Sequence, residues 1–292
     1  MKKILVIFTG GTIACVEKNG TLDTNENQKY KLLDTYIKEF KNTVEFETAS
    51  PYTVLSENIS AKNLMILKQT VLKNSSNYDG IIITHGTDTL QYSAAFISLT
   101  AKIAGVPIIF VSSNLPLEND KSNGYKNFCA AVDFIEKSEK DGVFIAYKNE
   151  GECVKFFSPE TLSDYDAFDD KLRELPVKVK DSDTLKCEKL SENSKVLFLK
   201  AYVGMTYPSL EGVKAVVLQT FHSGTLKSDD NKLKAFLENA KRQNTKVVLT
   251  GVCEDKNYKS EIDFSQFDNV EFSPYSPIYT YVKTWILTEN RL

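Results

Sequence analysis

The sequence predicts an α/β protein with a larger N-terminal domain built on a doubly wound, mostly parallel sheet and a smaller C-terminal α/β domain. Short apolar runs are the first observation. Ile4 to Phe8, Gly80 to Thr84, Val106 to Val111 and Gly142 to Tyr147 have the length and composition of strands buried on both faces. Stretches with helical spacing lie between them, and strand–helix alternation is the signature of a parallel sheet covered by helices. A length of 292 residues is enough for two domains, each with a proper core.

The first run leads into Phe8-Thr9-Gly10-Gly11-Thr12-Ile13-Ala14. A Gly-Gly pair turns the chain sharply and lets backbone N–H groups approach a ligand with no Cβ in the way. Thr12 follows on the turn, its hydroxyl beside that backbone. Just past a strand's carboxyl end is where ligands bind an open parallel sheet; an ordinary glycine turn is the other reading of these residues taken alone. The polar stretch Glu17 to Lys29, with Gly20, reads as a long flexible loop, either a lid or plain surface. Lys31 to Phe40 has helical spacing and Thr43 to Thr48 alternates like a strand. The polar residues Ser56-Glu57-Asn58 follow, and Ser60 is placed to cap a helix through Leu64, Leu67 and Val71.

The strand Gly80 to Thr84 ends in His85-Gly86-Thr87-Asp88-Thr89, before a helix from Ala94 to Ile103. Val106 to Val111 is followed by a loop, a helix from about Asn123 to Lys137, and the strand Gly142 to Tyr147. From Lys148 to about Ser194 the alternation fails, with Pro159, Pro176 and room for a hairpin at Lys171 to Lys180. A boundary near residue 190 is therefore expected, giving domains 1–190 and 191–292. The second domain reads as strands Val196 to Tyr202, Val213 to Gln219 and Lys246 to Thr250, with a helix over about Asp229 to Arg242.

Composition removes several classes of function. A formal net charge of −3 gives no electrostatic footprint for nucleic acid or an anionic membrane. No run approaches the roughly 20 apolar residues of a transmembrane helix. Met1-Lys2-Lys3 and the apolar run after it resemble the start of a signal peptide, but Thr9-Gly10-Gly11-Thr12 interrupts the run too early. Five widely spaced cysteines, none in a C-x-x-C pair, suit free thiols in a reducing compartment, so a cytoplasmic location is expected. The glycine loop is neither G-x-G-x-x-G nor a phosphate loop ending in Gly-Lys-[Ser/Thr], which argues against a nucleotide.

In the expected fold, the loops Thr9 to Thr12, Ser56-Glu57 and Thr84 to Thr89 gather along one sheet edge. A threonine hydroxyl needs a neighbouring base to act as a nucleophile, and acyl transfer needs donors for the oxyanion. Glycine N–H groups supply donors, and Asp88 can orient a base or bind a substrate ammonium. His85, one of two histidines, is expected to make a structural hydrogen bond. His222 is expected in an exposed loop, and Cys15 in packing.

Thr9-Gly10-Gly11-Thr12-Ile13-Ala14 and His85-Gly86-Thr87-Asp88-Thr89 resemble the two signature motifs of the bacterial-type, cytoplasmic type I-like L-asparaginase and glutaminase family. Ser56-Glu57-Asn58 and Asp166-Ala167-Phe168 fall where that family has matching segments, and the likeness thins over the final ~45 residues. The resemblance implies hydrolysis of the side-chain amide of asparagine, and of glutamine, to the acid and ammonia through an acyl-enzyme. Thr12 would be the nucleophile, Thr87 part of a second catalytic group, and Asp88 the partner of the substrate's α-amino group. Ser56 and Glu57 would hold the α-carboxylate and amine end, with Gly11 and Gly86 lining the substrate. It further implies a homodimer or homotetramer, a C-terminal domain that completes a neighbour's site, and no metal or organic cofactor.

Three departures accompany the likeness. Pro159 takes the place of the lysine in the family's second catalytic group, and proline can neither accept a proton nor carry charge. Lys155 is the nearest lysine before it. The family's loop tyrosine would fall near Thr21, with Tyr30 as a substitute, and Glu57 puts a carboxylate where a neutral group is usual. The expected function is therefore an amidohydrolase with weakened or altered activity. The alternative is a silent relative that binds an amino acid or serves as an assembly partner.

Overall fold

Ile4 to Phe8 offer no polar face, so β1 (Lys2–Phe8) is stable only inside a sheet covered on both sides. In the computed structural model of the chain these five side chains are all buried. Burial of each is worth roughly 1.5–3 kcal/mol. The residues described are 1–11, 13, 15–18, 21–24, 28–40, 44–138, 140–165, 169–176, 179, 183–229, 231–251, 264 and 266–290. They fall into two units, Met1–Glu174 and Leu175–Leu292.

In the first unit β1 is followed by a short antiparallel pair, β2 (Cys15–Lys18) and β3 (Thr21–Thr24), then α1 (Gln28–Phe40) and β4 (Val44–Ala49). Next come α2 (Ala61–Asn74), β5 (Gly80–Thr84), α3 (Leu90–Thr100), β6 (Pro107–Val111), α4 (Gly124–Lys137), β7 (Gly142–Tyr147) and β8 (Lys155–Phe157). The main sheet has six strands in the order β4-β1-β5-β6-β7-β8, all parallel except β8 against β7. Ile4, Val6 and Phe8 share a core with Leu32, Leu33 and Tyr36 of α1 and Phe128, Ala131, Val132 and Ile135 of α4. Leu5 and Ile7, on the other side by the two-residue period of a strand, are buried as well. α2 packs beside α3, and α3 against β7. The expected doubly wound architecture is thus the observed one.

Ser60 caps α2 as its position requires. Its hydroxyl accepts the Asn63 N–H at 3.2 Å while Asn63 Oδ1 accepts the Ser60 N–H at 3.1 Å, so two orphan donors of the helix start are satisfied reciprocally.

The first unit departs from expectation in three places. The stretch Glu17 to Lys29 is no continuous loop: it contains part of the β2–β3 hairpin and the start of α1. α3 begins at Leu90 and ends at Thr100, where Ala94 to Ile103 was expected, because nearly all of its residues are buried and no polar stripe marks its limits. Beyond β7 the chain forms β8, and Glu174 bridges Leu162 rather than a partner within 171–180; Val177, Lys178 and Lys180 lie outside the described residues.

The second unit carries a four-stranded parallel sheet, β12-β11-β10-β9, from β9 (Val196–Lys200), β10 (Ala215–Gln219), β11 (Lys246–Thr250) and β12 (Val270–Ser273). Leu233, Phe236, Leu237 and Ala240 of α5 (Asn231–Arg242) cover Val216, Leu218, Val247 and Leu249. A final helix, α6 (Pro277–Asn290), packs on β9, β10 and β11. The Asn290 side chain accepts N–H groups of Glu188 at 2.9 Å and Lys189 at 3.2 Å, tying the segment before β9 to α6.

Candidate active site

β4, β1 and β5 are neighbours and run parallel, so the loops at their carboxyl ends emerge side by side. Hydrogen bonds lock the loops together. The Thr9 hydroxyl donates to the Thr84 carbonyl at 2.7 Å, the Val54 N–H to the Thr9 carbonyl at 3.1 Å, and the Gly11 N–H to the Val54 carbonyl at 3.0 Å. Thr9, the glycine pair, Ser56, His85 and Gly86 are buried at this junction.

The glycines are dictated by close approach. Gly11 has φ +77°, and a Cβ built on it would fall 2.2 Å from Gly86 N. A Cβ on Gly86 would in turn fall 2.5 Å from Ser56 Oγ. No side chain larger than hydrogen fits either position unless the backbone shifts. Ser56 opens a 3₁₀ turn, Ser56–Asn58, and its hydroxyl donates to Asp88 Oδ2 at 2.9 Å. The Thr89 hydroxyl donates to the Ser56 carbonyl at 2.7 Å. Two loops some thirty residues apart in sequence are thereby joined by side-chain contacts in both directions.

Of the residues singled out in the sequence, Gly11, Ser56, Gly86 and Asp88 are brought together by these distances. Thr87 is half-buried within the same loop, and Glu57 is exposed beside Ser56. Thr12 lies outside the described residues, as do Ala14, Gly20 and Asp166-Ala167-Phe168. Tyr30 stands in the first turn of α1, its ring 6.2 Å from that of Phe8 at the end of β1. Lys155 is on the edge strand β8, bonded to Glu152 at 2.6 Å and with its side chain 60% exposed.

Pro159 is buried, and its neighbour Glu160 is 3% exposed. The Ser98 hydroxyl donates to Glu160 Oε1 at 2.7 Å, the Ser158 hydroxyl donates to Oε2, and Lys102 Nζ lies 3.9 Å from Oε1. A hydrogen-bonded carboxylate thus occupies the segment where the resemblance calls for a lysine. Thr9, Val54 and Thr89, which fasten the loops, are not among the residues the sequence singles out for function. Thr89 is in view there as the last residue of its motif, but only the fold reveals the carbonyl it reaches.

His85 is fully buried, with Nδ1 2.7 Å from the Gly86 carbonyl, so Nδ1 carries the proton. Burial pushes the imidazole down to about 4 from its ordinary 6.5, against the opposing pull of the Gly86 carbonyl and the Asp88 charge. The folded chain holds His85 neutral while the unfolded chain protonates it near 6.5, so the unfolded state binds more protons between those values. This stabilisation is complete above pH 6.5 and declines as the pH falls towards 4, by about 3 kcal/mol in all. Urea unfolding at pH 7 and pH 4.5 is expected to show this loss in the parent and a flatter dependence in His85→Gln; equal slopes would contradict it. The expected structural hydrogen bond of His85 is the one observed, and His222 is exposed.

Tyr165 is half-buried with its hydroxyl enclosed, and its phenol is held well above its ordinary value, first by desolvation and then by Tyr147, Asp170 and Asp88. Among the described residues no group of three or more His, Cys, Asp or Glu side chains is arranged to hold a metal ion.

Polar loops fastened at adjacent carboxyl ends of a doubly wound sheet define the class, the α/β proteins in which strand ends are where small molecules bind. Within that class the chain belongs to the asparaginase family: the family described as "Asparaginase, N-terminal" matches residues 3–185. The L-asparaginase of Thermococcus kodakarensis is 29% identical over 150 residues, covering 50% of this chain and 44% of that protein. A glutamyl-tRNA(Gln) amidotransferase component of Methanosarcina acetivorans is 34% identical over 134 residues, covering 45% of this chain and 31% of that one. The chain thus matches less than half the length of these curated relatives. In fold the likeness extends further: L-asparaginase I from Vibrio cholerae superposes with a TM-score of 0.78 at 20% identity, covering 100% of this chain and 94% of that one.

Proposed function

We propose that this chain hydrolyses the side-chain amide of L-asparagine, and of L-glutamine as a second substrate, to the acid and ammonia. The observation that carries the reading is the junction in which Gly11 abuts Gly86 while Ser56 holds Asp88 at 2.9 Å. A glycine loop, a serine and an acid meet there, and Thr12 is the next residue in sequence after Gly11. In this reading Thr12 Oγ attacks the amide carbon, its proton passes to the leaving nitrogen, and ammonia departs to leave an ester on Thr12. Water then hydrolyses that ester. Backbone N–H groups of the glycine loop other than that of Gly11, which donates to the Val54 carbonyl, stabilise the oxyanion formed in each step. Thr87 orients the water or relays protons. Asp88 holds the substrate's α-amino group, Ser56 and Glu57 hold its α-carboxylate and amine end, and Gly11 and Gly86 line the substrate.

The missing family lysine bears on rate more than on binding. Losing a general acid–base group costs about 10²–10⁴-fold. Pro159 supplies no such group and Lys155 is engaged with Glu152. That observation favours, as the second reading, a relative that binds an amino acid or assembles with a partner without turnover. Tyr30, near the end of β1, is the candidate for the role of the loop tyrosine. The reading further takes residues 1–190 as the catalytic domain and 191–292 as the second. It assigns the protein to the cytoplasm as a homodimer or homotetramer; no helix among the described residues is long and apolar enough to cross a membrane.

Ammonia release from millimolar asparagine and glutamine by the purified protein is the test. A linear, enzyme-dependent signal with asparagine supports hydrolysis. Its absence together with a raised melting midpoint in aspartate or asparagine identifies the binding protein instead, because a ligand of the folded state must raise the midpoint.

A further inference from the structure

A second site lies far in sequence from the glycine loop, at the amino-terminal edge of the second unit's sheet. Lys195 immediately precedes β9, Lys214 immediately precedes β10, and Lys246 opens β11. The backbone sets them side by side: the Lys214 N–H donates to the Lys195 carbonyl at 2.8 Å, and the Lys246 N–H to the Lys214 carbonyl at 3.2 Å. Neighbouring strands run about 4.8 Å apart, so the Lys195 and Lys214 stems start close together, while Lys246, whose register partner on β10 is Ala215, stands one strand further on, roughly twice that spacing from Lys195. Lys189 joins them from the segment held by Asn290. These four lysines, with Leu287 and Glu289 of α6, line a cavity of about 510 Å³.

Charge in the cavity is poorly balanced. Lys246 pairs with Glu271 at 2.7 Å. Among the described residues no carboxylate pairs with Lys189, Lys195 or Lys214, and Glu289 is the one acid in the lining. Like charges opposite one another on adjacent strands are unfavourable. Lysine is a compact, strongly hydrated point charge well suited to phosphoryl oxygens. The volume lies in the range of small-molecule sites and exceeds what a single phosphate fills. We propose that this cavity binds a small ligand bearing a di- or triphosphate, with Lys189, Lys195 and Lys214 as its counter-charges. The ligand is distinct from an amino-acid amide, so the inference stands apart from the hydrolase reading.

Calorimetric titration of the full chain with tripolyphosphate, against sulfate at matched ionic strength, tests the proposal without any activity readout. Saturable, sub-millimolar binding of tripolyphosphate at least ~10-fold tighter than sulfate is expected. Lys195→Ala/Lys214→Ala should weaken it ~10-fold or more, and Lys121→Ala/Lys126→Ala, on the exposed surface of the first unit, should leave it unchanged. If the alanine pair fails to fold, Lys195→Gln/Lys214→Gln serves in its place. Binding no tighter than sulfate, equal binding by the Lys195/Lys214 variants, or equal loss in the Lys121/Lys126 control overturns the site.

Discussion

Thr12→Ala is expected to reduce ammonia release from asparagine by at least ~10³-fold while leaving the melting midpoint within a few degrees of the parent. The reasoning is chemical. An amide carbon is a poor electrophile, and acylation requires an oxygen or sulfur nucleophile held beside oxyanion donors. Thr12 follows the Gly10-Gly11 pair directly, whereas Cys15 is three residues further on in β2, with its partner Thr24 across a hairpin. Alanine removes the hydroxyl and keeps the backbone donors. Aspartate should therefore still raise the midpoint of the variant if it raises that of the parent. A variant that releases ammonia within about tenfold of the parent would place the nucleophile elsewhere.

Gly11→Ala is expected to cost about 3 kcal/mol or more, a fall of several degrees in melting midpoint, and to eliminate turnover. Two effects add. At φ +77° any L side chain is strained, by roughly 1–2 kcal/mol. In addition the new methyl would overlap Gly86 backbone atoms at 2.2 and 2.3 Å, so the β1 and β5 loops must separate. Gly105→Ala separates the contributions, since Gly105 has φ +75° with nothing within 4 Å of its built Cβ. It should show the conformational strain alone. Equal destabilisation by the two substitutions would mean that the loops yield without cost. Because Gly86 abuts Ser56, which holds Asp88, separating the loops also pulls the two halves of the site apart.

Much of the architecture was legible where burial leaves a simple pattern. Gly80–Thr84, Gly142–Tyr147 and Lys246–Thr250 are strands with the limits their apolar runs suggest. α4 and α5 carry clear stripes of apolar residues, and each begins and ends within two residues of expectation. The limits of α3 differ from expectation by several residues because a helix enclosed all round has no polar side to set its frame. The same holds for α6, which the pattern did not reveal; Pro277 at its first position was the available signal. The β2–β3 hairpin was hidden by polar composition, although Asn19-Gly20 between Lys18 and Thr21 is a strong hairpin dipeptide. β8 has three residues, too few for any periodicity.

The site was legible in a different sense. Two short motifs and the Ser56-Glu57-Asn58 segment supplied candidate residues, but not how they meet. Nothing in the sequence states that Ser56 reaches Asp88, or that Gly11 lies against Gly86, because those contacts follow from the order β4-β1-β5. The reach of Lys155 was likewise undetermined until β8 turned it to the sheet edge and Glu152.

That strand order also has a consequence for how the protein is made. β1 is synthesised before either of its neighbours, yet it pairs with β4 from Lys2↔Val44 and with β5 from Ile4↔Gly80. At about 5–20 residues per second, the 76 positions between Ile4 and Gly80 take roughly 4–15 s to translate. Until β4 is made, Ile4 to Phe8 is an apolar segment with both edges unpaired, and until β5 arrives one edge stays open to chaperones and to other nascent chains. The Gly10-Gly11 turn acquires its contact with Gly86 only when β5 arrives, so ribosomal pausing or chaperone supply between the synthesis of β1 and that of β5 should govern the yield of folded protein more than events later in the chain.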